Sequence, residues 1–165
     1  MSKMALADRY VEKTRTWNDD WNNVIRTVFF KDEKLKELMC IPEGTAIIPF
    51  ITKYFIEDAA PDAILTNELV RVNHYDTQGY DTGNKNVVRK YKEFDIYVKE
   101  SVLYDATNDR LKARTQLIAE RIKYLLIRKF HICELHFDYR DEYDLWTKTV
   151  GYKRYHIVFS YRISV

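Results

Sequence analysis

The 165-residue sequence predicts an α+β fold in which one long helix packs across an antiparallel or mixed four-stranded sheet. Residues 86–101 alternate apolar with polar side chains around Phe94 and Ile96, which is typical of a half-buried strand. Residues 108–129 instead repeat apolar side chains such as Ile118 at helical spacing. Because a short polar link joins the two stretches, we expect the helix to lie across one face of the sheet.

That link offers candidate N-caps for the long helix. Asp105, Thr107 and Asn108 carry short side-chain oxygens, which accept hydrogen bonds from the free N–H groups of a first helical turn. The helix is therefore expected to begin close to residue 108.

N-terminal helices precede the sheet. Apolar residues between 17 and 29 fall on one side of a helix, and residues 1–16 are interpreted as a possible arm or separate helix. Asp32 is the expected N-cap of a second, short helix over residues 32–40. Pro49 predicts that residues 45–58 form an irregular or edge segment, although their composition favours a strand.

The remaining strands form hairpins. Residues 63–72 are the first predicted strand, and the polar residues 73–86 are the extended tip of a long β-hairpin. Residues 131–140 and 155–165 are the two closing strands, joined by a predicted loop over 141–152. With no linker or internal repeat, the whole chain is expected to be one domain.

Composition excludes several classes of protein. A net charge of +2 is too small to indicate general nucleic-acid binding. Two widely separated cysteines do not predict a disulfide framework. No stretch of eighteen apolar residues predicts a membrane span, and the N-terminus lacks the apolar region of a signal peptide. The chain is expected to be made in a cytoplasm and to have no membrane partner.

Candidate chemistry is sparse. His131 and Cys133 would share one face of a strand and His136 the other, which does not give the tetrahedral ligand set of zinc. The acids of residues 138–144 match no calcium loop. No hydrolase, phosphate-binding or dinucleotide-binding motif is present. We therefore expect no enzyme activity, no metal and no cofactor.

The order of elements is similar to that of a known family. The hairpin spans residues 63–100, the strand, link and helix span 93–126, and the closing strands are 131–140 and 152–164. With the helix-then-proline sequence LKELMCIPEG before them, these segments resemble the tail-terminator and neck (tail-completion) proteins of tailed bacteriophages. The N-terminal 25 residues and residues 47–58 depart from the family pattern.

The resemblance implies a structural virion protein. Such proteins assemble as homomeric rings, commonly hexamers, which end the tail tube and join it to the head while genomic DNA passes non-specifically through the lumen. The implied partners are further copies of the chain, tail-tube proteins and head-completion proteins. Localisation in the tail or neck of a virion, after assembly in the host cytoplasm, follows from the same resemblance.

Two sets of surface residues follow from this interpretation. The subunit interface would use the hairpin tip and the N-terminal tryptophans: Tyr75, Asp76, Gln78, Tyr80, Asp81, Asn84, Lys85, Trp17 and Trp21. The DNA-facing set would be the basic residues of the long helix: Lys112, Arg114, Arg121 and Lys123. Two alternatives stay open at this point, namely another phage connector such as a head-completion or baseplate subunit, and a small nucleic-acid-binding module.

Overall fold

The computed structural model describes most of the chain, with gaps. The described residues are 21, 23–58, 68–77, 87–104, 112–129 and 137–164. Several sequence-based expectations lie outside them: the arm 1–16, most of the hairpin tip, the N-cap candidates Asp105, Thr107 and Asn108, and the metal candidates His131, Cys133 and His136.

A five-stranded mixed sheet forms the described centre of the fold. Its strands are β1 (Phe55–Glu57), β2 (Val70–Thr77), β3 (Val87–Lys99), β4 (Phe137–Leu145) and β5 (Tyr152–Ser164), in the order β1-β2-β3-β5-β4. β1 runs parallel to β2, and every other neighbouring pair is antiparallel. The α+β class is confirmed, while the four-stranded sheet is corrected because β1 adds a strand.

The extra strand β1 follows a short helix that contains Pro49. Residues Ile47–Pro49 form helix α3, which continues as a wider turn over Phe50–Tyr54 and leads directly into β1. Pro49 lies in the first turn, where its missing N–H has no helical partner to lose. The expectation of an irregular segment is therefore wrong for residues 47–54, where the proline helps to begin a helix. The alternative expectation of an edge position is confirmed for β1, which is the first strand in the sheet order.

Two strands are longer than predicted. β2 continues to Thr77, whose Cα is paired with Tyr91, so the first residues of the predicted tip belong to the sheet. β4 continues to Leu145 through a bulge between Tyr139 and Asp141, within the predicted loop 141–152. Pairing of the backbone with β3 and β5 outweighs the polar composition on which both boundaries were predicted.

Helices cover one face of the sheet. α1 is Ile25–Phe29 and follows the helical residues 21, 23 and 24, and α2 is Glu33–Leu38. α4 is Arg114–Tyr124, extended by a wide turn over Leu125–Lys129. Its N-cap is Ala113, so the expected start close to residue 108 is wrong. The core joins these helices to alternate residues of β2, β3 and β5. Its fully buried members include Val24, Phe29, Leu35, Met39, Phe50, Phe55, Val72, Phe94, Ile96, Val98, Ile118, Ile122, Leu125, Ile157 and Phe159. The predicted apolar faces of β3 and of the long helix are thereby confirmed.

Asp32 ties α2 to α4. Its side chain accepts a hydrogen bond from the Leu35 backbone N–H at 2.9 Å, which confirms it as the N-cap. The same carboxylate accepts two more from Arg121 of α4, at 2.8 and 2.6 Å. A single buried acid therefore caps the N-terminus of α2 and also holds this helix against α4.

Candidate subunit interface

The sheet face opposite the helices carries a buried polar network centred on Asp95. Asp95 is 1% exposed and accepts hydrogen bonds from the Tyr75 hydroxyl at 2.9 Å and from Arg154 Nε at 3.0 Å. His156 Nδ1 lies 2.8 Å from the same carboxylate. β2 and β3 each contribute one of these residues and β5 contributes two, because strand pairing places the four side chains on one face. The network therefore locks the central three strands in register.

His156 is held between two carboxylates. Its Nε2 lies 2.9 Å from Glu93, so both ring nitrogens contact acids. Burial opposes the charged ring, but hydrogen bonds to Asp95 and Glu93 raise the pKa of His156 to about 9. A histidine that stays protonated at pH 7 with both nitrogens engaged has no free lone pair to act as a general base. The arrangement is that of a structural ion pair.

Removing the charge of His156 is expected to flatten the pH dependence of stability between pH 6.5 and 8. A folded pKa of about 9 exceeds the unfolded value of about 6.5, so this stabilisation is complete below pH 6.5 and declines as pH rises through 9. We expect the wild type to lose about 1 kcal/mol of unfolding free energy across this window. Urea denaturation of wild type and His156→Gln at four pH values measures the two slopes.

A second titration, that of Lys92, begins within the same window and is shared by the wild type and the variant. Burial lowers the pKa of Lys92 to about 8, and a base with a depressed folded pKa gains stability as pH rises above that value. Its effect therefore opposes that of His156 at higher pH. Equal slopes for the wild type and His156→Gln below pH 8 would contradict the imidazolium assignment.

Arg154 connects this network to the turn between β4 and β5. While Nε binds Asp95, Nη1 lies 3.5 Å from the carbonyl oxygen of Trp146. At the other end of the turn, the Gly151 carbonyl accepts from the Glu100 N–H at 2.9 Å, and Gly151 has φ 82°, which a glycine adopts without strain. Both ends of the turn are thus fixed to the body of the fold.

This fixed turn presents large apolar side chains to solvent. Trp146 is 74% exposed and Val150 is 94% exposed. Tyr104, at 61% exposed, lies with Trp146 on a cleft of about 420 Å³ that also includes the start of α4, Lys153 and Arg154. We refer to Tyr104, Trp146 and Val150 as the Trp146 patch. Exposed tryptophan and tyrosine on a rigid support are typical of protein–protein contacts.

The neighbouring edge of the sheet is β4. Its outer backbone edge has no strand beside it in the described part of the sheet, and Tyr139 and Tyr143 are 40% and 43% exposed. The strand is bulged and rich in acids, features that discourage pairing between two identical edges. A partner at this edge must therefore differ from β4 itself.

The predicted interface residues differ in whether they are buried, bonded within the monomer or outside the described residues. Trp21 is 4% exposed and packs in the core, so we remove it from the predicted subunit surface. Tyr75 donates to Asp95, and Asp76 accepts from Tyr161 at 3.0 Å, so both also have roles within the monomer. The others lie outside the described residues: Trp17, Gln78, Tyr80, Asp81, Asn84 and Lys85.

Each of the four basic residues predicted to face DNA has a partner in the chain. Lys112 pairs with Glu120, and Lys123 pairs with Glu142. Arg114 donates to the carbonyls of Val102 and Leu38, and Arg121 binds Asp32. The contacts of Arg114, Arg121 and Lys123 hold α4 to its neighbours. DNA contact by the four basic residues stays a prediction.

Sequence reasoning missed the Trp146 patch. Trp146 was included in a polar loop, although a lone tryptophan among polar residues between two strands is a signal for an exposed contact. The contacts that fix the turn could not be predicted from the sequence. Arg154 and Gly151 contact Asp95 and Glu100, which lie in a distant segment of the chain.

The same described ranges bear on metal binding and on membrane spanning. No group of three or more histidine, cysteine, aspartate or glutamate side chains there is arranged to hold a metal ion. None of the helices in these ranges has the length and apolar character needed to cross a membrane.

No model of a protein family matches the chain, and no curated protein has significant sequence similarity to it.

Proposed function

We propose that the protein is a structural virion subunit, a tail-terminator or neck protein that assembles with copies of itself into a ring. The observation that carries the proposal is the Trp146 patch, in which Trp146 and Val150 are exposed on a turn fixed at both ends and Tyr104 is exposed on the same cleft as Trp146. Burying such side chains against a neighbour releases about 25 cal/mol per Å² of apolar surface. The order of elements resembles that of tail-terminator and neck proteins, and this resemblance is the reason for proposing that kind of assembly.

A ring requires a contact between two different surfaces of each subunit. Identical β4 edges repel each other through their acids, which favours a head-to-tail arrangement over a two-fold dimer. A stable interface buries about 1,600 Å² in total, more than three side chains provide, so the β4 edge would contribute beside the Trp146 patch. In this proposal the ring, a hexamer by resemblance, joins tail-tube and head-completion proteins and surrounds passing DNA.

Replacing the patch is expected to prevent self-association without unfolding the subunit. Trp146→Ser with Val150→Ser removes two largely exposed side chains, so the unfolding free energy should change by less than about 0.5 kcal/mol for each. Size-exclusion chromatography with light scattering should give a multimer for the wild type at high concentration and a monomer for the double variant.

A matched control uses an exposed apolar residue elsewhere. Ile48→Ser changes a side chain that is 59% exposed on α3, far in the sequence from the patch, and should leave the multimer intact. The proposal fails if the double variant associates as the wild type does, or if Ile48→Ser has the same effect.

A further inference from the structure

A buried polar cluster lies between α1 and the sheet. Trp21, His74 and Lys92 are 4%, 1% and 1% exposed. Lys92 Nζ lies 4.0 Å from the centre of the Trp21 ring and 3.7 Å from the Asp76 carboxylate. Asp76 in turn accepts the hydroxyl of Tyr161. We call these five residues the Trp21 cluster.

The cluster contains polar atoms that lack hydrogen bonds. Trp21 Nε1, His74 Nδ1 and Lys92 Nζ are three of the five such buried side-chain atoms in the described structure. A buried donor or acceptor without a partner is unfavourable, and most proteins contain few of them. Their concentration beneath one helix marks a place where the packing is less stable than the apolar core around it.

His74 occupies aromatic surroundings that suit only its neutral form. Its ring centre lies 4.7 Å from that of Phe55 and 5.8 Å from that of Trp21. Burial, together with the charge of Lys92, holds the pKa of His74 well below its ordinary value. Protonation would place a second buried cation beside Lys92.

The charged groups around His74 and Lys92 would only partly offset a second buried positive charge. On β2, Asp76 already accepts from Tyr161 and faces Lys92. On β1, Glu57 is paired in register with His74 but is exposed to solvent. Trp21, which precedes α1, and Phe137 of β4 contribute uncharged rings, which lie 5.9 Å apart.

We propose that Trp21 and α1 form an acid-released latch, which separates from the sheet when His74 is protonated. The strands on either side of His74 are joined by backbone hydrogen bonds. The described backbone hydrogen bonds of α1, by contrast, stay within residues 25–32, so side-chain packing holds it to the sheet. Opening at α1 is therefore the least costly way to hydrate His74. This inference is independent of ring assembly.

The size of the response follows from proton linkage. If the open form has an ordinary histidine pKa of about 6.5, each pH unit below that value multiplies the opening constant about tenfold. Between pH 7.5 and pH 5 the opening constant should therefore increase about thirtyfold. Lys92, with a folded pKa of about 8, is mainly protonated in both forms across this range and changes the opening constant by less than about twofold.

Hydrogen exchange with mass spectrometry tests the latch. Peptides covering residues 23–30 are compared with peptides from α4, 114–124, in one sample at pH 7.5, 6 and 5, after correction for intrinsic exchange rates. The wild type should lose protection about thirtyfold in 23–30 relative to α4. His74→Gln should abolish this loss, and His156→Gln, which changes the histidine on the other face, should retain it.

Two results would overturn the latch. One is an equal acid response in the wild type and His74→Gln, and the other is a loss of protection that is the same in α4 as in residues 23–30. If His74→Gln does not fold, His74→Phe suits the aromatic surroundings and provides the same non-titrating comparison.

Discussion

Asp95→Ala is expected to lower the unfolding free energy of the subunit by about 3–5 kcal/mol, the usual cost of removing one partner of a buried ion pair. Three groups lose their acceptor together: the Tyr75 hydroxyl, Arg154 Nε and His156 Nδ1. Hydrogen bonds from His156 and Arg154 outweigh burial and lower the pKa of Asp95, so the acid is charged in the folded state. Urea denaturation at pH 7 measures the loss.

The Asp95 variant should also disturb the candidate interface, because Arg154 joins the network to the Trp146 turn. Asp138→Ala is the matched control, since that acid is exposed on β4 and its loss should change stability by less than about 0.5 kcal/mol. Equal stability of the two alanine variants would contradict a stabilising role for the network.

Ile122→Asp is expected to unfold the subunit, with a loss of more than about 4–5 kcal/mol. Ile122 is 0% exposed on α4, where it belongs to the core between helix and sheet. A carboxylate at this position would be buried without a partner, and the methyl groups that fill the site would be lost. Circular dichroism with thermal denaturation should find no cooperative transition for the purified variant.

Two controls separate burial from the effect of charge on the helix. Gln116→Asp places the same charge on the exposed side of α4 and should be tolerated. Ile122→Val keeps the core apolar and should cost about 0.5–1.5 kcal/mol. A folded Ile122→Asp protein with a transition near that of Gln116→Asp would contradict the packing of α4 described above.

The parts of the fold that could be predicted are those where one periodic pattern decides burial. Phe94, Ile96 and Val98 alternate as the structure buries them, and Ile118 and Ile122 recur on the buried side of α4. Asp32 was recognisable as an N-cap because local helix chemistry needs only neighbouring residues.

Polar residues that are buried by tertiary contacts could not be found from the same patterns. Lys92 shares the phase of Phe94 and is 1% exposed, although a lysine in an alternating strand is normally placed at the surface. The same alternation places Asp95 on the solvent side. Its burial depends on Arg154 and His156, about sixty positions later in the chain, and no local pattern identifies such partners.

Electron microscopy of the purified protein, negatively stained and prepared beside the Trp146→Ser, Val150→Ser variant, tests the proposed assembly most directly. The wild type should form closed rings with a central opening, and the variant should appear as single small particles. Wild-type particles that remain single at every concentration, or rings that form equally well without the patch, would contradict it.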